Sequence, residues 1–216
     1  MNETFDSAYI KDKHYFGDEA DVLLKNHYKL LNKNDKILDI GIGQGRNALF
    51  LIEKGFIVDG VDPSIVGIEA LKKLAYKDKL KLELFNTDFK NFNPKEAEYS
   101  GILIFGLIQL LSEKDIKELA KKTKKMLNES GLIFLTGFSK KDESFKPNSS
   151  NWTKINEYSY TDNNNNFRTF LDADELLKYF KHFNVIYKWE GLGQKHRHND
   201  GPLEQHHYFE LILQKQ

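Results

Sequence analysis

The sequence predicts an α/β fold in which helices cover both faces of a mostly parallel sheet. Strand-like apolar segments alternate with helix-like segments over residues 37–136, and this alternation is typical of βαβ units. Three glycines, Gly41, Gly43 and Gly45, directly follow the first of these strands. The segment that begins at Ile102 is continuously apolar, as expected for a strand that is buried on both faces.

The amino-terminal half of the chain contains the first three predicted strands. Within residues 16–31, Val22, Leu23, Tyr28 and Leu31 lie near helical spacing and predict an amphipathic helix. The elements predicted after it are a strand at 37–40, a helix at 46–54 that Gly55 ends, a strand at 56–61, a helix that Pro63 and Ser64 open and that runs to about Tyr76, and a strand at 80–85.

The second half continues the alternation and then changes character. It predicts strands at 102–105 and 132–136, a helix at 112–127, a helix with an acidic start at 172–180, and two final strands at 184–189 and 208–213. Residues 139–166 are rich in Lys, Asn and Ser and lack periodicity, so they predict a lid or a surface loop, with Asn163–Asn166 solvated.

Composition and length limit the class of protein. The 216 residues predict a single domain over 1–216, with a helical lid or cap at 1–35 and a variable insert at 139–170. Lys and Arg (32) balance Asp and Glu (32), which argues against a protein that mainly coats nucleic acid or an anionic membrane. The absence of cysteine excludes disulfides and cysteine nucleophiles. With no secretory signal visible, we expect a cytoplasmic protein.

The candidate functional residues all follow strands, where open α/β sheets bind their ligands. Asp39 and the loop Gly41–Gly45 follow the first strand, and such glycines let a ligand approach the backbone closely. The helix that begins after the loop favours an anionic group at its amino terminus. Asp62 follows the second strand, about 20 residues after Gly41, where a carboxylate accepts hydrogen bonds from ribose hydroxyls.

Residues after the third and fourth strands predict a base-binding surface. Asp88 can accept a hydrogen bond from an exocyclic amine, and the Phe89 ring beside it can stack on a base. Phe105 and Gly106 follow the fourth strand. Together these residues predict a nucleoside-containing cofactor that lies across the strand ends.

The glycine loop argues against a dinucleotide. Its pattern is G-x-G-x-G rather than G-x-G-x-x-G, and no G-x-x-x-x-G-K-[ST] phosphate loop is present. Asp39 stands two residues ahead of the loop. A carboxylate so close repels a pyrophosphate and attracts the ammonium group of an amino acid.

The string ILDIGIGQGRN resembles motif I of class I S-adenosylmethionine-dependent methyltransferases, and the resemblance continues through Asp62 and Asp88. It implies a Rossmann-like seven-stranded sheet with one antiparallel strand, formed by the last segment. It also implies that Asp39 and the Gly41 carbonyl hold the amino group of S-adenosylmethionine, with the Gly43 backbone beneath the methionine. Asp62 would hold the ribose, Asp88 the adenine amine, and Phe105 would face the methyl group, with Arg46 and Phe89 completing the cofactor-binding set.

Three stretches resemble the small-molecule tellurite-resistance (TehB-like) family: GQGRNALFL, FLDADELLKYF, and the tail with His196, Arg197 and YFELILQK. The resemblance implies that His196 and Arg197 face a substrate oxyanion. We therefore predict His196 as base or acceptor-orienting residue and Arg197 as anion clamp. The family has a further basic residue near the position of Glu204, a departure that leaves the acceptor open. Ile104–Leu107 stands where nucleic-acid amino methyltransferases have the motif D/N-P-P-Y/F, which argues against that class. Cytosine-C5 methylation is excluded because it needs a cysteine nucleophile.

Each candidate residue also has a structural interpretation. Asp39 and Asp62 can cap a strand end and a helix, Asp88 can form a turn, and Phe105 can be core. Gln109 either reaches the substrate or is a polar residue at a helix entry.

The histidine-rich tail and the amino terminus leave further alternatives. His196, His198 and His206 could bind a metal, but no ligand spacing fixes one, and methyl transfer needs none; we predict no metal. His206 and Tyr208 could line the substrate pocket instead. Tyr15 and Phe16 either close over the cofactor as a lid or anchor the first helix.

The function predicted from the sequence is methyl transfer from S-adenosylmethionine to a small molecule, such as an oxyanion, a thiol or another metabolite. A protein or RNA methyltransferase and a non-catalytic cofactor-binding module are the alternatives. We expect no nucleic-acid or membrane partner, and the sequence predicts no oligomeric state.

Overall fold

The computed structural model describes residues 2–143, 152–162, 167–195 and 203–216. Its strands are β1 (Lys36–Ile40), β2 (Ile57–Asp62), β3 (Leu82–Asn86), β4 (Tyr99–Ile104), β5 (Leu127–Phe138), β6 (Trp152–Lys154), β7 (Ser159–Asp162), β8 (Phe167–Thr169), β9 (Phe183–Leu192) and β10 (His207–Lys215).

The α-helices are α1 (Asn2–Lys11), α2 (Val22–His27), α3 (Arg46–Glu53), α4 (Ile65–Asp78), α5 (Glu113–Met126) and α6 (Ala173–Leu177), with short 3₁₀ turns at Tyr28–Leu30 and Ile108–Leu110. No helix within the described ranges combines the length and apolar character needed to cross a bilayer.

The main sheet has seven strands in the order β3-β2-β1-β4-β5-β10-β9. Neighbouring strands from β3 to β5 are parallel, whereas β10 runs antiparallel to both β5 and β9. The predicted fold class is therefore confirmed, including the single antiparallel strand formed by the last segment. The carboxyl ends of β1 to β5 and of β9 meet at one edge, which we call the carboxyl edge.

Two apolar cores lie on opposite faces of this sheet. Leu38 and Ile40 of β1 pack in the core that α5 and α6 cover. Ile37 packs in the other core, with Leu23 of α2 and Leu51 of α3. Because side chains alternate along a strand, Asp39 lies on the same face as Ile37, beneath α2 and α3.

The amino-terminal segment differs from its prediction. The helix expected at 16–31 is shorter and begins at Val22, because Gly17 has a φ of 76° and the Asp21 carboxylate accepts a hydrogen bond from Leu23 N as a helix cap. Helix α1 lies within the helical cap predicted over 1–35, but no separate helix is predicted at Asn2–Lys11. Its docking depends on contacts with distant residues, which helical periodicity does not reveal.

The insert contains a second sheet that the sequence analysis did not predict. Strands β6, β7 and β8 form an antiparallel meander, so these segments are regular where their sequence predicts no periodic structure, and a role as a lid stays a prediction. Thr169 Oγ1 donates to the Leu111 carbonyl at 2.7 Å and joins the meander to the end of the turn that follows β4. Asn163–Asn166, predicted to be solvated, lie outside the described residues.

Candidate functional site

The glycine loop folds back onto the end of β2. Gly41, Gly43 and Gly45 all have positive φ, at 79°, 55° and 86°. The amides of Gly41 and Ile42 donate to the Val61 carbonyl at 2.8 and 3.2 Å. The left-handed backbone is accessible to glycine without steric cost, so the loop turns tightly above the sheet and presents backbone at the carboxyl edge.

Asp39 is a buried carboxylate with an unused oxygen. It is 2% exposed, and its Oδ2 has no hydrogen-bond partner among the residues that the structure describes. Burial raises the pKa of Asp39 to about 7, and repulsion from Asp62 adds to this, while Arg46 opposes it. An unpaired buried acceptor is costly, so the arrangement suits a ligand that brings a cation or an N–H donor to this position.

Asp62 joins the glycine loop to the start of α4. Its Oδ2 accepts from Gly43 N at 2.8 Å and its Oδ1 from Ser64 N at 2.7 Å. Burial raises the pKa of Asp62, and the two amide hydrogen bonds work against that rise. Each carboxylate oxygen has a second lone pair, so Asp62 acts as a structural cap and still has acceptors for ribose hydroxyls.

The other predicted cofactor-binding residues lie along the same edge, but they differ in how far contacts within the protein already occupy their side chains. Asp88 is half-buried and accepts from Asn91 N at 2.9 Å, which makes it a turn former as well as a candidate acceptor. Phe89 is 6% exposed and belongs to the core. Phe105 is half-buried against the opposite core. Stacking on a base is therefore more restricted for Phe89 than the sequence analysis predicted.

Arg46 contacts the segment before α2. Its guanidinium donates to the Glu19 carbonyl at 3.0 Å and lies 3.9 Å from the Asp21 carboxylate. The neighbouring Asn47 accepts from Asp21 N at 2.8 Å. In the described residues Arg46 thus fixes the amino-terminal segment and influences Asp39 through its charge, whereas direct contact with a cofactor remains a prediction.

The amino-terminal segment covers the glycine loop. Gln44 bridges to it twice, because its Nε2 donates to the Asp12 carbonyl and its Oε1 accepts from Tyr15 N, at 2.8 and 2.9 Å. Asp6 of α1 accepts from the Ser64 hydroxyl at the start of α4. The Tyr9 hydroxyl lies so near Gly43 that a Cβ there would be 2.7 Å from it. Burial and the charge of Asp62 raise the Tyr9 pKa.

Aromatic rings extend this cover. Phe16 packs edge-on against Tyr15, with ring centroids 4.9 Å apart, and both rings contact Tyr9. The sequence leaves open whether Tyr15 and Phe16 form a lid over the cofactor or anchor the first helix. In the structure they belong to a segment that is hydrogen-bonded to the glycine loop through Gln44.

The histidine-rich tail is only partly described. His196, Arg197 and His198 lie outside the described residues. His206 Nδ1 lies 3.0 Å from the buried carboxylate of Asp142, and its Nε2 lies 3.5 Å from Glu204. The hydrogen bond and charge of Asp142, with Glu204, raise the His206 pKa. The described part of the chain contains no group of three His, Asp or Glu side chains arranged for a metal.

Glu210 is a further buried carboxylate at the carboxyl edge. It is 6% exposed, and its two oxygens accept from the hydroxyls of Tyr208 and Tyr187 at 3.2 and 3.3 Å. Burial raises the Glu210 pKa, and repulsion from Asp21 raises it further. On the next strand the Thr136 hydroxyl accepts from Gly106 N at 3.2 Å.

Sequence reasoning missed Tyr9, Asp21 and Glu210. The signal for Glu210 was available, because a lone carboxylate within the apolar run YFELIL must be buried or must face a site. Tyr9 and Asp21 carry no comparable signal, since both are ordinary residues in a polar segment whose position depends on folding.

Known proteins share both the sequence pattern and the fold. A family model described as a methyltransferase domain matches residues 37–131. The ubiquinone biosynthesis O-methyltransferase of Pelagibacter ubique is 31% identical over 117 residues, which are 52% of this chain and 46% of that protein. The probable S-adenosyl-L-methionine-dependent methyltransferase TehB of Haemophilus influenzae is 24% identical over 160 residues, which are 74% of this chain and 53% of that protein. The chain thus spans about half the length of these curated relatives.

A solved structure extends the similarity in fold to nearly the whole chain. The 1,6-didemethyltoxoflavin-N1-methyltransferase of Burkholderia thailandensis, with bound 1,6-didemethyltoxoflavin and S-adenosylhomocysteine, matches with a TM-score of 0.69. The match covers 99% of this chain and 86% of that one, at 17% identity. At this identity the match shows the fold alone.

Proposed function

We propose that this chain transfers a methyl group from S-adenosylmethionine to a small-molecule acceptor, because residues 37–131 match a methyltransferase domain and 160 residues resemble TehB at 24% identity. The observation that carries the proposal is the unpartnered, buried Oδ2 of Asp39 beside the glycine loop.

The residues at the carboxyl edge fit this cofactor in chemistry and in order. Asp39 offers its free oxygen to the amino group, and the space beside Gly41, where an added Cβ would meet only Leu107 at 4.0 Å, leaves room for it. Asp62 offers ribose acceptors from the next strand, and Asp88 offers an acceptor one strand further. When bound, S-adenosylmethionine supplies a methyl group on a positively charged sulfur that departs as a neutral thioether.

The protein's own contribution is alignment and the exclusion of water. The segment that carries Tyr9 and Tyr15 lies over the glycine loop through the two hydrogen bonds of Gln44. It limits access of solvent to that side of the site. A covered site of this kind suits a small acceptor better than a segment of a macromolecule.

His196 and Arg197 remain our predicted acceptor-side residues, and this assignment rests on the TehB-like resemblance of the tail. Glu204, in place of the family's further basic residue, lies beside His206. The acceptor is therefore not assigned by analogy with an oxyanion.

Formation of S-adenosylhomocysteine tests the proposal directly. The protein is incubated with S-adenosylmethionine and either the dialysable or the retained fraction of a cell extract. We expect product above the no-acceptor blank with the dialysable fraction only. Asp39→Asn should lower turnover at limiting cofactor roughly 10- to 100-fold, since a hydrogen bond to a charged group is lost. Asp78→Asn, an exposed change at the end of α4, should leave turnover unchanged. Product with the retained fraction alone, or with neither, would contradict the proposal.

A further inference from the structure

Three aromatic side chains lie next to Glu210 on β9 and β10, and we call Glu210 with Tyr187, Trp189 and Tyr208 the aromatic box. The Trp189 and Tyr208 rings meet edge to face with centroids 5.3 Å apart. The His27 ring of α2 lies against Tyr187 with centroids 4.6 Å apart. All three rings of the box are half-buried, whereas Glu210 between them is buried. The carboxylate thus lies behind partly accessible rings.

Two glycines allow the rings of Tyr208 and Trp189 to pack directly against the backbone. A Cβ at Gly193 would approach Tyr208 Cε1 to 2.3 Å, and one at Gly191 would approach Trp189 Cζ2 to 2.8 Å. Both rings therefore lie against the backbone at the end of β9, and larger residues at these glycines would displace them.

The aromatic box shares the face and the edge of the sheet with the cofactor site. The strand register runs from Asp39 through Leu103 and Phe134 to Ile212. Glu210 lies two residues from Ile212 toward the carboxyl edge, on the same face because side chains alternate. Asp21 links the two regions, since it lies 3.9 Å from Arg46, and its charge raises the pKa values of Glu210 and Tyr208.

The charge of Glu210 has no counterion among the described residues. Its two hydrogen bonds come from phenols, and no Lys, Arg or His in the described ranges forms a salt bridge with it. A buried carboxylate without a cation is costly. Aromatic faces attract cations, so the aromatic box, whose carboxylate repels an anion, offers two favourable interactions to an ammonium group.

We propose that the aromatic box is the acceptor site of the methyl transfer and that it binds an amine, with Glu210 as its specificity-determining carboxylate. This inference rests on the proposed function and names its substrate class. An amine that arrives as an ammonium ion gives one proton to the Glu210 carboxylate, and the nitrogen lone pair so freed is the nucleophile for the methyl group. The positive charge then passes from sulfur to nitrogen, where the rings stabilise it.

Choline tests the binding step without turnover, because its quaternary nitrogen has no lone pair to methylate. The protein, saturated with S-adenosylhomocysteine and carrying Trp152→Phe so that Trp189 is the only tryptophan, is titrated with choline and with 3,3-dimethylbutan-1-ol, its uncharged isostere. We expect choline to quench the fluorescence and to bind about tenfold or more tightly than the isostere. Equal affinities, or tighter binding of sulfate than of choline, would overturn the inference.

Glu210→Gln keeps the size of the side chain and one acceptor oxygen but removes the charge. We expect it to abolish the preference for choline while S-adenosylhomocysteine binds as before. The matched control is Glu190→Gln on the opposite face, where Glu190 accepts from Ala173 N, and it should keep the preference. A preference for choline that survives in a folded Glu210→Gln variant contradicts the inference. If that variant does not fold, the comparison of choline with its isostere on the protein with Glu210 intact tests the inference instead. If S-adenosylhomocysteine does not bind at all, the result contradicts the proposed function rather than the inference about the acceptor.

Discussion

At the scale of single residues, the free oxygen of Asp39 is the feature from which the chemistry follows. Two carboxylates, Asp39 and Asp62, are buried close enough to repel each other, with Arg46 as the nearby cation. A protein keeps such an arrangement at a cost in stability. The cost has a function when a bound cation relieves it, as the amino group of the proposed cofactor would.

The raised pKa of Asp39 predicts proton release on cofactor binding. Because folding raises this pKa to about 7, its protonated form stabilises the fold below the unfolded value, and that stability is lost as the pH rises through about 7. At pH 6 a cofactor cation beside Asp39 should displace about one proton, and at pH 9 almost none. Calorimetry in buffers of different ionisation enthalpy measures this. Asp39→Asn should release no proton at either pH, and an unchanged release in that variant would contradict the role of Asp39.

The sequence could predict residues that lie next to a strand end but not residues that folding brings there. Asp39 and Asp62 lie at the carboxyl ends of apolar strands and Asp88 follows one, so the parallel sheet aligns them at one edge. Tyr9 reaches Gly43 from a distant part of the chain, and the Phe89 side chain turns into the core. Long-range packing determines the position of Tyr9, and side-chain direction determines that of Phe89. Local periodicity in the sequence reveals neither.

At the scale of elements, the amino-terminal segment behaves as a cover attached at defined points. It is tied to the loop by Gln44 and to α4 by Asp6, which also accepts from Val66 N at 3.3 Å. The fixed points join the segment both to the glycine loop and to the start of α4.

Gln44→Ala should loosen the cover without touching the acidic residues. Loss of both hydrogen bonds is expected to weaken cofactor binding about three- to tenfold, mainly through faster dissociation, since each neutral hydrogen bond contributes about 1 kcal/mol. Stopped-flow fluorescence measures the dissociation rate. Gln216→Ala, which removes a hydrogen bond to Asn184 far from the loop, should have no effect. A dissociation rate unchanged by Gln44→Ala would show that the cover does not retain the cofactor.

The elements of the βαβ core were predictable because each has enough residues to show a period. Helix α5, for example, places Ile116, Leu119 and Ala120 inward, as its sequence predicts. The meander β6-β7-β8 consists of strands of three or four residues, too short for alternation to be distinguished from irregular structure. Its position depends on Thr169 and Leu111, which are far apart in sequence.

At the scale of the whole molecule, a net charge of zero conceals a separation of charge. Buried acids, among them Asp39, Asp62 and Glu210, gather at the carboxyl edge. At the opposite edge a groove is lined by lysines, among them Lys121 and Lys181, together with Glu96 and Glu129. The acids of the carboxyl edge attract cations, as the proposed sulfonium cofactor and the proposed amine acceptor require.

The central claim, that the acids of the carboxyl edge bind S-adenosylmethionine, is tested most directly by calorimetric titration of the protein with that compound and with NAD⁺. We predict saturable one-to-one heat for S-adenosylmethionine and none for NAD⁺. With Asp62→Asn we predict roughly tenfold weaker binding, since one charged acceptor of the ribose is lost. No heat with S-adenosylmethionine, or the same affinity after Asp62→Asn, would contradict the claim.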